Sequence, residues 1–261
     1  MRRSRQCGRA VRRDGGGPFG RSSRRRHQVD LRERSVFAYY PEQFILEQFV
    51  SGPEVSVEGV VARGRVHCVG VTAKSLTPGT FLESRHVFPA ALDQADTVLV
   101  TQLATEAVRA TGIDNCGFHV EVMLSPQGPV IIEVNGRLGG DFIASHLVPL
   151  ASGTDLMAAS LKVAVGEEPD LQPTGRGAAC VRFLVADRDG VVVSVSGVQA
   201  ATASPGIVDL GQNKVPGDRV RLPPDSYFDA RLAYAISSAA DGDTAARLAD
   251  QAIEAMSYDI A

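Results

Sequence analysis

Two apolar segments, each with one acid at an alternating position, constrain this chain most: FHVEVM at 118–123 and VIIEVN at 130–135. The PQGP turn at 126–129 between them predicts a β-hairpin. Glu121 and Glu133 then lie side by side on neighbouring strands. Carboxylates on a half-buried sheet repel each other and lose solvation, which is costly unless something positive lies between them.

Asn135 and Arg137 share the face of Glu133 by period-two counting. Two carboxylates, an amide oxygen and a guanidinium on one surface suit Mg²⁺ ions that carry a nucleoside triphosphate. The alternative is a structural hairpin with salt-bridged acids, which the apolar context disfavours. Glu58, on a preceding predicted strand, is expected to be exposed to solvent.

The predicted elements follow hydrophobic periodicity and breaker residues. Alternation indicates strands and helical spacing indicates helices, with an irregular loop where Pro78 and Gly79 interrupt the pattern. The predicted strands are 44–50, 54–62, 66–74, 181–185 and 191–195, in addition to the hairpin; the loop is 78–89; the helices are 90–111, 139–150, 154–165 and 243–257.

This hairpin resembles the metal-binding hairpin of the ATP-grasp ligases, and the resemblance runs from about Phe44 to the C-terminus. Within that superfamily the chain is most similar to the carboxylate–amine ligases that join amino acids, the L-amino acid ligase group. The resemblance implies an α+β fold: an ATP-grasp large lobe with an antiparallel sheet and flanking helices, plus a small C-terminal α+β domain. Three further segments carry it: 44–58 (adenine hinge and next strand), 81–90 (substrate-side loop) and 190–261 (C-terminal small domain).

The resemblance also implies which residues bind ATP. It places Glu47 and Val50 at the adenine edge and Glu54 at the ribose hydroxyls. Met123 and Ile132 match the apolar floor beneath the adenine. A solvent-facing strand pair is the alternative for the two acids, and core packing explains the two apolar residues equally well.

The implied metal ligands are Glu121, Glu133 and Asn135, with Mg²⁺ as the expected ion and Mn²⁺ as the alternative. Glu83 is a candidate third acid of the metal site, and His86 is a candidate catalytic residue that faces the amino-acid substrate. Both are expected in the loop between two prolines, where a surface histidine is the alternative.

Arg137 is the implied catalytic residue for transition-state stabilisation, because a guanidinium grips an acyl-phosphate oxygen through two parallel bonds. Gly139 and Gly140 are expected to let the backbone approach the ligand and to start a helix whose N-terminus favours anions. Lys74, at the end of a predicted strand, is a candidate phosphate contact; a solvated lysine is the alternative.

Charge and composition divide the chain. Residues 1–26 contain ten arginines and one acid, so they carry +9, whereas the rest carries −12. The arm has almost no aromatic interleaving, which disfavours nucleic-acid binding and favours disorder. The expected domains are a disordered arm (1–34), an ATP-grasp C-terminal lobe (35–168), a linker (169–177) and a small α+β domain (178–261).

No apolar run approaches the ~18 residues of a membrane span. The arginine-rich start lacks the apolar core of a secretory signal. Four cysteines occur without metal-ligand spacing, which is typical of free thiols in a reducing compartment. These features predict a cytoplasmic protein that has no membrane partner.

The implied function is ATP- and Mg²⁺-dependent ligation of a carboxylate to an amine, both expected to be amino acids, through an acyl phosphate. In the family, the lobe before the hinge supplies two lysines, but no lysine precedes Phe44 here. A truncated ligase is therefore expected, inactive alone or completed by an N-terminal subunit or by homo-oligomerisation. The alternative is a non-catalytic ATP-grasp-like module that binds a nucleotide or a partner.

Overall fold

The computed structural model describes residues 46–223 and 225–261, so the predicted arm lies outside the described residues. Glu47–Ala261 form one compact unit. The strands are β1 (Glu54–Ala62), β2 (Arg65–Leu76), β3 (Glu83–Phe88), β4 (Cys116–Ser125), β5 (Gly128–Asn135), β6 (Ala178–Val185), β7 (Gly190–Ser196), β8 (Ile207–Gln212), β9 (Arg219–Val220), β10 (Arg231–Ala239) and β11 (Ser257–Ile260). The helices are α1 (Gln94–Thr111), a π-helix (Ile143–Leu147), α2 (Val148–Ser152), α3 (Leu156–Ala164), α4 (Val198–Thr202) and α5 (Gly242–Glu254).

An eight-stranded sheet in the order β5-β4-β1-β2-β3-β6-β10-β8 organises the unit, and a second sheet has the order β11-β7-β9. Neighbouring strands of the large sheet pair antiparallel. This architecture, with few helices on a large antiparallel sheet, confirms the predicted α+β class.

Helix α1 covers the apolar face of β1 and β4. Asp93 caps its N-terminus by accepting a hydrogen bond from the backbone N–H of Asp96, and Gly112 ends it with a φ of 74°. Val100, Ala104 and Val108 recur every four residues, so one stripe of the helix is buried against the valines of β1, β2 and β4. The helix that the sequence predicts over 90–111 therefore begins four residues later than expected.

The predicted hairpin is confirmed as β4 and β5, joined across Pro126 and Gln127. Its register places Glu121 directly opposite Glu133. The register shifts immediately afterwards, and Ile132 is the extra residue of this β-bulge. The alternation that carries Glu133 and Asn135 onto one face begins after the bulge, so the period-two argument applies to them.

Three local predictions were wrong. Part of the predicted loop 78–89 is strand β3, because it pairs with β2 on one side and with β6, nearly a hundred residues away, on the other. Residues 46–50 form no strand. The helix expected to start at Gly139 begins at Ile143 as a π-helix, because Asp141 and Phe142 adopt positive φ values of 48° and 65°.

The large sheet includes strands from both sides of the predicted linker, since β6, which follows the linker, pairs with both β3 and β10. Helix α5 packs on β6 and β10 through buried alanines. The division into a lobe (35–168) and a small domain (178–261) stays a prediction. Within the described ranges, no helix is both long and apolar enough to cross a membrane; the cytoplasmic location also stays a prediction.

Candidate functional site

A row of charged side chains crosses one face of the large sheet, opposite the face that α1 covers. The strand registers align these residues on five adjacent strands. Because the row is formed by cross-strand neighbours, its members lie within reach of one another although they are far apart in sequence. From β5 to β3 the row consists of Glu133, Glu121, His119, Glu54, Glu58, Lys74 and His86.

Lys74 lies at the centre of the row, with a side chain only 2% exposed. Its Nζ lies 2.8 Å from Glu54 Oε1, 2.8 Å from Glu83 Oε1 and 2.7 Å from Glu121 Oε1. Burial disfavours the ammonium, but the charges of Glu83 and Glu121 outweigh it and raise the pKa of Lys74. The alternative of a solvated lysine was therefore wrong.

Glu83 reaches Lys74 because of a second irregularity in the sheet. Ser75 pairs with Arg85, but Leu76 pairs with Glu83, so Ser84 is an extra residue on β3. Simple alternation would point Glu83 away from the face of His86, and the bulge turns it back.

A second cluster, more deeply buried than the first, lies on the paired strands β1 and β4. Glu58 is completely buried, so the expectation that it is exposed was wrong. His119 bridges two acids: Nδ1 lies 2.9 Å from Glu58 Oε1, and Nε2 lies 3.2 Å from Glu121 Oε1. Burial disfavours the charged ring, but these hydrogen bonds raise the pKa of His119 to about 9. The hydrogen bond to His119, followed by the charge of Lys74, lowers the pKa of Glu121 to about 2.

A third cluster joins His86 to the C-terminal part of the chain. Arg231 contacts both oxygens of Asp141: Nη1 donates a hydrogen bond to Oδ1 at 2.8 Å, and Nη2 forms an ion pair with Oδ2 at 2.7 Å. His86 Nε2 lies 3.3 Å from Asp141 Oδ2. The guanidinium of Arg231 lies 4.0 Å above the ring of Phe183. Burial opposes ionisation of Asp141, but hydrogen bonds from His86 and Arg231 keep its pKa below its usual range.

Members of all three clusters line a cavity of about 270 Å³. Its lining includes charged groups together with the exposed rings of Phe81 and Phe228. Three buried polar atoms near it have no hydrogen-bond partner among the described residues: His86 Nδ1, Arg231 Nε and Asn135 Nδ2. A buried donor without a partner is costly, so this geometry is typical of a site that binds a polar ligand.

The structure brings many of the sequence-predicted residues together. Lys74, Glu83, His86, Glu121 and Arg137 line the cavity. The other candidates lie along or beyond its edge: Glu133 is exposed opposite Glu121, Asn135 is half-buried opposite His119, Glu54 pairs with Lys74, Met123 and Val50 are half-buried, and Glu47 and Ile132 are exposed. The expectation that Glu83 and His86 lie in a loop was wrong, because both belong to β3.

Sequence reasoning missed four residues of these clusters: Glu58, His119, Asp141 and Arg231. His119 had a visible signal, since it lies two residues before Glu121 on the same face of one strand. The others had none, because Glu58 meets His119 only through the β1–β4 register and Arg231 is 90 residues from Asp141. Gly139 also has a role other than the expected one, since its backbone approaches Glu58 and His119 closely.

Two family models match the chain. The model for the ATP-grasp domain matches residues 25–145, which contain the hairpin and the whole charged row. The model described as L-amino acid ligase C-terminal domain 2 matches residues 182–261, which contain Arg231. The chain belongs to the ATP-grasp superfamily.

Among curated proteins, the ATP-grasp chain is similar to protein y4rH of Sinorhizobium fredii, with 31% identity over 218 residues, covering 84% of this chain and 44% of that protein. It is also similar to carnosine synthase 1 of Gallus gallus, with 31% identity over 164 residues, covering 59% of this chain and 18% of that enzyme. The chain thus spans less than half the length of both relatives.

A crystal structure of an L-amino acid ligase from Bacillus licheniformis has the same fold as this ATP-grasp chain. The two superpose with a TM-score of 0.73 at 21% identity, over 82% of this chain and 53% of the ligase. At this identity the likeness establishes the fold.

Proposed function

We propose that the chain is the part of an ATP-dependent carboxylate–amine ligase that holds the metal and the amino-acid substrates. The observation that carries the proposal is the opposition of Glu121 and Glu133 across β4 and β5, beside a cavity that Arg137 also lines. The similarity to carnosine synthase 1 and to the L-amino acid ligase C-terminal domain supports amino acids as substrates.

The residues fit a hard divalent cation. Lys74 and His119 both contact Oε1 of Glu121, and no hydrogen bond from a described residue reaches its Oε2. Glu133 is exposed opposite it, and Asn135 adds an amide oxygen on the same face. These three residues would hold Mg²⁺, or Mn²⁺ as the alternative. When bound, the ion neutralises the charge that develops on the transferring phosphoryl group.

In the proposed reaction, a substrate carboxylate takes the γ-phosphoryl group of ATP and becomes an acyl phosphate, releasing ADP. An amine then attacks the acyl carbon, forms the C–N bond, releases phosphate and loses a proton. Arg137 is exposed at the cavity and is suited to bind the acyl-phosphate oxygens. His86 and Asp141 also line the cavity, and the carboxylate of Asp141 suits an ammonium group of the amino acid.

Lys74 does not act as a simple phosphate contact in this proposal. Its ammonium is surrounded by Glu54, Glu83 and Glu121, so it fixes the acids and lowers their repulsion. Adenine binding by Glu47 and Val50, with Met123 and Ile132 as its floor, remains part of the proposal. Glu54 keeps one oxygen for the ribose, since Lys74 contacts only Oε1.

Calorimetric titration with Mg²⁺ and ADP tests the proposed site. Glu133→Gln should weaken binding by at least roughly tenfold, because it removes a charged oxygen ligand. Glu106→Gln is the matched control, since Glu106 is exposed on α1 away from the site. Equal affinities for the two variants would contradict the metal assignment.

Phosphate release from ATP, measured across a panel of amino acids, tests the activity. A ligase releases phosphate only when both a carboxylate substrate and an amine substrate are present. These are two different amino acids, or one amino acid that serves as both substrates. Nucleotide binding without such release would favour the alternative of a non-catalytic nucleotide-binding module.

A further inference from the structure

We propose that Glu58 and His119 are positioning residues that fix the orientation of Glu121 for its cation. Neither residue was assigned a role by its sequence pattern. The inference rests on the proposed function, because Glu121 is one of the proposed metal ligands.

Glu58 is the anchor of this arrangement. It has no exposed surface, and its oxygens are held from three directions. Ser56 Oγ donates to Oε1 at 2.7 Å, Thr72 Oγ1 donates to the same oxygen at 3.5 Å, and His119 Nδ1 lies within 3.1 Å of both oxygens. A carboxylate held by this many contacts cannot turn, so it fixes the plane of the imidazole that it contacts.

His119 passes this constraint to Glu121. Because Nδ1 is engaged by Glu58, ring rotation is blocked and Nε2 stays directed at Glu121 Oε1, 3.2 Å away. Lys74 Nζ contacts the same oxygen at 2.7 Å. Two donors on Oε1 leave Oε2 as the oxygen of Glu121 that can face a cation, which is how outer-shell hydrogen bonds orient metal-ligating groups.

The close packing of Gly139 on Glu58 and His119 independently supports the positioning role of this pair. A Cβ at this position would lie 2.7 Å from Glu58 Oε2 and 2.9 Å from His119 Nδ1, so only glycine lets the backbone close over the pair. Gly139 follows Arg137 by two residues, and the segment that presents Arg137 to the cavity therefore packs on the pair that orients Glu121.

The test is Mn²⁺ affinity in the presence of ADP, measured by calorimetry on the full chain. Glu58→Gln keeps the shape of the side chain but removes its charge and one acceptor, so we expect roughly 10- to 100-fold weaker Mn²⁺ binding. Glu106→Gln, an exposed glutamate on α1, is the control and should bind as the wild type does.

A double-mutant cycle separates positioning from stability. If Glu58 acts through Glu121, the loss caused by Glu58→Gln shrinks to less than about twofold when Glu121 is already Gln. An equal loss in both backgrounds, or no loss in either, overturns the positioning role. Circular dichroism establishes that each variant is folded at the titration temperature.

His119→Gln provides a second variant if Glu58→Gln does not fold. Glutamine can contact one acid but cannot bridge both, so the same weakening of Mn²⁺ binding is expected, and wild-type affinity would overturn the inference. Absence of Mn²⁺ binding by the wild type overturns the proposed function and this inference together. Wild-type binding that Glu58→Gln and His119→Gln leave unchanged overturns this inference alone.

Discussion

Replacing Lys74 by methionine should destabilise the protein strongly. Methionine keeps the length and volume of the side chain but removes the charge that lies within 2.8 Å of three carboxylates. Breaking a buried ion pair by removing one partner costs about 3–5 kcal/mol. The acids of this cluster are 15–28% exposed, so water relieves part of their repulsion. We therefore expect Lys74→Met to lower the free energy of unfolding by about 3 kcal/mol, the low end of this range.

For a unit of this size, 1 kcal/mol lowers the melting temperature by roughly 2–4 °C, so Lys74→Met should melt roughly 6–12 °C below the wild type. Lys162→Met is the matched control, because Lys162 lies on α3 and has no ion pair among the described residues. Its melting temperature should change by no more than ~2 °C. Thermal unfolding followed by circular dichroism measures both.

Divalent cations give the same prediction a second readout. Oxygens of Glu54, Glu83 and Glu121 lie within 4.8 Å of one another, close enough to share one cation. Adding Mg²⁺ or Ca²⁺ without nucleotide should therefore raise the melting temperature of Lys74→Met more than that of the wild type. If Lys74→Met melts together with Lys162→Met, the claim that the ammonium holds the acids together is wrong.

The contribution of Glu121 to stability should decrease as the pH falls. The pKa of Glu121 is about 2 in the folded protein, below the ~4.3 of an unperturbed glutamate. Its contribution to stability is complete above about pH 4.3 and is lost as the pH falls towards 2. Lys74→Met removes part of this contribution, so the difference in unfolding free energy between variant and wild type should narrow across that window. A difference that widens on acidification would contradict the electrostatic explanation.

Three further predictions concern other regions. Asp241→Ala removes the N-cap of α5 and should cost about 1 kcal/mol in urea unfolding, more than the control Asp243→Ala. Burial raises the pKa of Cys180 to about 12, so iodoacetamide should label half-buried Cys116 before Cys180 under mildly alkaline conditions. Peptide mass spectrometry measures both, and equal labelling of the two thiols would contradict this prediction. Phe228→Ala, at an 86% exposed ring, should change unfolding free energy by under ~0.5 kcal/mol but weaken calorimetric binding of apolar amino acids more than of glycine.

Local pattern predicted the hairpin and the helix of this protein well. The turn at Pro126 and Gln127 sets the register of the hairpin as far as Val122 opposite Ile131. The bulge at Ile132, which the sequence did not indicate, then brings Glu133 opposite Glu121. Helix α1 was predicted from apolar residues at helical spacing, although its start was placed four residues too early. These features depend on residues close in sequence, where periodicity carries the information.

The contacts of Glu58 with His119 and of Glu83 with Lys74 were decided by tertiary structure alone. Glu58 is buried because β1 pairs with β4 and aligns it with His119, a residue 61 positions later. Glu83 faces Lys74 only because an extra residue on β3 reverses its direction. Sequence alternation shows which residues share a face of one strand, but strand order and bulges determine which strands meet. For this reason the sequence by itself indicated Glu121 and Glu133, and only the assembled sheet determined that Lys74 and His119 contact Glu121.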